Sequence, residues 1–125
     1  MTATEEFRPG AVPYAESGAT AWRSAVLGQR GAAPDHSEFY ELAAYLVDTL
    51  CALDGMAGVL AGQVTGYASG RAVYDDEGID PHMRLRTAVL ALAEARQHIS
   101  EADRAVKRFW SAIGHIGTRY EGVLS

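Results

Sequence analysis

At 125 residues the chain is long enough for one domain with a modest core and too short for two independent ones. With 48% hydrophobic and 22% charged residues it has the composition of a globular protein, not of a wholly disordered one. A net charge of −5 argues against general binding to nucleic acid or anionic membranes, and a single cysteine, Cys51, excludes an intrachain disulfide and fits a reducing, cytoplasmic setting.

Met1 to Gly10 carries Glu5 and Glu6 and no apolar run, so a secretory signal is not expected there. Residues 1–34 are punctuated by Pro9, Gly10, Pro13, Gly18, Gly31 and Pro34, and read as an extended or partly disordered arm. Within the arm, 20–29 has the composition of a short helix that presents Trp22, Ala25, Val26 and Leu27.

A helical domain is expected over 35–117. Asp35 as N-cap with Glu38 three residues on is a capping-box pattern. From there Phe39, Leu46, Leu53, Leu60 and Tyr67 recur every seventh residue, flanked by Ala43, Leu50, Ala57 and Val64. The pattern predicts a helix to about Gly66, roughly 48 Å long at 1.5 Å per residue. Its apolar run from Leu42 to Gly62 is interrupted by Asp48 and Asp54, each of which costs about 2.5 to 3.5 kcal/mol at a bilayer centre, so a buried helix is expected and not a membrane span.

A turn of about a dozen residues follows, with Gly70, Gly78 and the acidic run Asp75-Asp76-Glu77. Asp80-Pro81 then marks a second helix start, because the N–H that proline lacks has no partner in a first turn. Leu85, Leu92, Ile99, Val106 and Ile113 repeat at seven, with Ala88, Ala95, Ala102 and Phe109 three residues later, which predicts a seam with alanine at one of its two positions. Gly114 and Gly117 are stop residues, and 118–125 is a tail. The expected fold is all-α: an antiparallel two-helix hairpin with a short N-terminal helix or arm.

If Phe39, Leu46, Leu53 and Leu60 face the second helix, then Ala44, Cys51, Gly58 and Thr65 lie on the far side, with Gly55 and Gly62 widening a smooth surface. Glycine inside a helix costs about 1 kcal/mol relative to alanine, so several ask for a reason. Small residues let backbones approach closely, which predicts a homodimer through Ala44, Cys51, Gly55, Gly58, Gly62 and Thr65, giving a four-helix bundle; the alternative is that the N-terminal arm, with Trp22 and Leu27, covers this face within a monomer.

No catalytic, cofactor or metal signature stands out. Glu94, His98 and Glu101 lie outside the seam, and the acidic turn lacks the ligand ladder of an EF-hand. There is no nucleophile elbow and no phosphate-cradling loop. Arg104, Lys107 and Arg108, with Arg119 beyond, form a basic end suited to phosphate or to a protein partner. In outline, residues 35 to 114 resemble the ESX-secreted helical hairpins. The chain departs from their motifs: the turn reads Tyr67-Ala68-Ser69-Gly70 in place of Trp-x-Gly, and Tyr120 is followed four residues on by Leu124 and not by an acid. The function expected is that of a non-enzymatic, self-associating adaptor, scaffold or regulatory subunit. The alternatives are a nucleic-acid accessory protein using the basic end and a helical-bundle metal protein or enzyme.

Overall fold

The computed structural model describes residues 10–119; Tyr120 and Leu124, and the Glu5 and Glu6 segment, lie outside them. Every regular element among the described residues is helical: α1 spans Ala11–Arg30, α2 His36–Thr65 and α3 Pro81–Gly114. The chain divides into two compact units, Met1–Asp35 and His36–Ser125.

In the first unit the helix is twice the expected length. Residues 11–19, read from the sequence as extended, are helical. Pro13 falls in the first turn, where its missing N–H has no helical partner to lose. Gly18 and Gly28 lower the helix propensity by about 1 kcal/mol each without breaking it.

In the second unit α2 and α3 pack against each other. They run antiparallel: Tyr40, early in α2, packs against Trp110, late in α3, with ring centroids 5.5 Å apart and the planes tilted by 53°. Asp54 meets Arg96 at mid-length, and Val64 and Leu85 share a cleft near the turn. The start of α3 is as expected. Asp80 Oδ1 accepts from the His82 N–H at 3.0 Å, and Pro81 occupies the first turn.

The two seams are rotated from the expected ones. Ala43 and Ala57 are the buried apolar residues among those described, and the half-buried Leu50, Val64, Val47 and Ala61 flank them. Of the stripe expected to face α3, the flanking series Ala43, Leu50, Ala57 and Val64 is buried or half-buried, as is Phe39, while Leu46, Leu53 and Leu60 are 37%, 50% and 40% exposed. On α3 Leu85, Leu92, Ile99 and Val106 are half-buried, and four residues on from them so are Val89, Asp103 and Trp110, whereas Arg96 is exposed. Ala88 and Phe109 are exposed, while Ala95 and Ala102 sit half-buried at the margin. Two physical causes account for the rotation. Alanine at 43 and 57 lets the helices close along their length and gain dispersion contact. The Asp54 carboxylate and Arg96 guanidinium also meet in this rotation; as a pair with side chains 41% and 47% exposed they favour it only weakly.

Candidate interaction surfaces

The turn between α2 and α3 is locked by one carboxylate. Asp75 accepts from the backbone N–H groups of Glu77 and Ile79 at 2.9 and 3.1 Å, and from Arg84 Nε at 2.7 Å. Arg84 Nη2 also reaches Glu77 Oε1 at 2.8 Å. The Arg84 hydrogen bond, reinforced by the two backbone donors, holds the Asp75 carboxyl down at about 2. Gly70 and Gly78, at φ of 72° and 79°, take the left-handed conformations the turn requires. Asp75, Asp76 and Glu77 bring three carboxylates close together, but the Asp75 oxygens are already occupied by these donors, so the cluster is a turn clamp.

One side of the α2/α3 pair is polar. Arg96 Nε donates to Asp54 Oδ1 at 3.0 Å and Nη2 to Oδ2 at 3.2 Å. That hydrogen-bonded pairing lowers the Asp54 pKa and raises that of Arg96. Beside it Lys107 pairs with Asp103 at 2.9 Å. Cys51, Asp48 and Asp54 of α2 and Ser100, Asp103 and Lys107 of α3 line a shared cleft of about 360 Å³ on this side.

Of the residues expected to form a dimer interface, Ala44 and Gly58 are half-buried, and Cys51, Gly55, Gly62 and Thr65 are exposed. Thr65 Oγ1 donates to the Ala61 carbonyl at 2.7 Å. All six follow the polar flank of α2, and Gly58 has a reason within its own chain: a Cβ there would lie 3.0 Å from Arg96 Nη1. No second chain is needed to explain that glycine, whereas Gly55 and Gly62 face open space.

The opposite side of the pair is apolar. A residue one position before Asp54 is swung about 100° around the helix axis, so Leu53, with Leu46 and Leu60 at the same spacing of seven, points away from the polar cleft. By the same geometry Ala88, Ala95, Ala102 and Phe109 point away from it on α3. In an antiparallel pair both stripes therefore fall on one face. Leu42 and Met56 broaden it on α2. This face was legible only in part from sequence, which identified both stripes and placed them against each other within one chain.

At the open end, His36, Tyr40, Lys107, Trp110 and Ser111 border a cleft of about 580 Å³. His36 Nδ1 and Trp110 Nε1 are buried there with no hydrogen-bond partner among the described residues. Sequence reasoning did not single out this cleft, because it is assembled from the first turn of one helix and the last of the other.

The basic end is partly neutralised: Lys107 is held by Asp103, Arg104 Nη1 donates to Ser100 Oγ at 3.1 Å, and Arg119 lies beyond α3. His98 stands 3.6 Å from Glu94 and 3.9 Å from Glu101 on exposed surface. Among the described residues α2 is the helix long and apolar enough to cross a membrane.

These elements define a class: an all-α protein whose two long helices pack antiparallel, with one polar and one apolar side. No family model, no curated protein and no solved structure matches the chain.

Proposed function

We propose that this is a non-enzymatic helical scaffold or adaptor that works by protein–protein contact and associates with itself into a four-helix bundle. One observation carries the reading: among its described apolar residues the α2/α3 pair buries only Ala43 and Ala57, leaving Leu46, Leu53, Met56, Val59, Leu60 and Phe109 exposed. A contiguous apolar face of this extent marks an interaction site, and two helices alone cannot enclose it. Lipid is the poorer cover for α2. Asp54 is engaged by Arg96 from a helix rich in charge, and Asp48 lies on the same flank. Light scattering at micromolar concentration tests the proposal; a mass of one chain would refute it.

A further inference from the structure

We infer that two copies of this chain meet face to face with the leucine stripe of α2 on the alanine stripe of α3, about a two-fold axis parallel to the helices. The inference rests on the self-association proposed above and specifies how it is made.

The two stripes share a spacing of seven residues and one face, but differ in size: Leu46, Leu53 and Leu60 against Ala88, Ala95 and Ala102. A large stripe beside a small one is half of a complementary pair. Two in-plane two-fold axes can bring such faces together. An axis across the helices would stack leucine on leucine and leave a gap above the alanines. An axis along them lays α2 of each copy on α3 of the other, so that both stripes are filled.

The register also agrees. Asp54 opposite Arg96 and Tyr40 opposite Trp110 set the levels of the two helices. Leu53 then stands level with Gln97, Leu46 with Arg104 and Leu60 with Leu90. In a copy related by the parallel axis, each leucine faces the gap between successive small residues: Leu53 between Ala95 and Ala102, Leu60 between Ala88 and Ala95. That is knobs-into-holes packing.

The size of the face points the same way. The face runs from Phe39 to Tyr67, about 40 Å at 1.5 Å per residue. Two helices 8–10 Å apart make it roughly 20 Å wide. The product, about 800 Å² per copy, is that of a stable interface.

The test is complementation in trans. Leu53→Glu and Ala95→Lys are made separately in the full chain, and mass and dissociation constant are read by light scattering and sedimentation. Each variant alone places a charge against an apolar partner at both symmetry-related contacts, and its dimer is expected to weaken about 100-fold. Mixed, the two variants set the introduced carboxylate against the introduced ammonium at one contact and restore Leu53 against Ala95 at the other, so a heterodimer forms in preference to either homodimer. Circular dichroism checks that each variant stays helical; a variant that unfolds puts its residue in the intrachain core and overturns the placement. A native dimer that neither variant weakens, or variants that fail to complement, overturns this arrangement and leaves self-association standing. A monomeric native chain overturns both.

Discussion

The Arg96 guanidinium lies across the backbone of Gly58 while gripping Asp54 one turn earlier on the same helix, with Nε–Oδ1 at 3.0 Å. A side chain from α3 thus occupies the space that an alanine Cβ would need on α2. The three residues make one mid-length clasp, and the contrast with the neighbouring glycines is measurable.

Gly55→Ala and Gly62→Ala add a methyl group into open space and gain helix propensity, so each is expected to stabilise the fold by about 1 kcal/mol. Gly58→Ala gains the same propensity but must displace the guanidinium by a few tenths of an ångström, loosening its grip on Asp54. Its gain should be smaller than either neighbour's. Thermal unfolding of the three variants decides this; equal increases in Tm would show that the clasp is slack.

Ala43→Leu and Ala57→Leu should each cost about 1 to 3 kcal/mol, because these are the buried positions of the pair and a larger side chain there is overpacked. Leu46→Ala, on exposed surface, should cost the isolated chain less. Urea denaturation at dilute concentration makes the comparison. The opposite order would return the leucine stripe to the intrachain seam.

The Asp75 clamp makes stability fall with acid. Its carboxyl, at about 2 in the folded chain against an ordinary 3.8, is held charged by Arg84 and two backbone donors. The unfolded chain therefore binds the proton first, and the stabilisation, complete above the ordinary value, is lost as pH falls from about 4 toward about 2. Asp75→Asn should lower Tm at neutral pH and flatten this part of the profile. A variant with an unchanged acid limb would locate the sensitive carboxylate elsewhere.

Trp110→Ala removes the ring that packs tilted against Tyr40 at the open end and should cost roughly 2 kcal/mol for a half-buried aromatic, with Trp110→Phe recovering much of it. Gly114→Ala brings a methyl group to 3.2 Å from the Tyr40 ring and is expected to perturb the same end. Chemical denaturation of the three variants reports on one site.

The sequence by itself determined the helices of the second unit and their order. Asp80-Pro81 starts α3 through the N–H groups of its first turn, and the seven-residue repeats require long apolar stripes; both follow from short-range geometry. Its reading of 11–19 failed for a local reason as well, since Pro13 breaks a helix only beyond the first turn. The choice of stripe for the seam was different. Leucine at 46, 53 and 60 and alanine at 43 and 57 lie within one broad apolar arc, and periodicity cannot say which side of an arc meets a neighbour. Tertiary structure settled it, because close approach at the alanines and the reach of Arg96 to Asp54 are satisfied together in one rotation. That rotation gives Gly58 its intrachain role and leaves the leucines exposed on the face opposite the small residues.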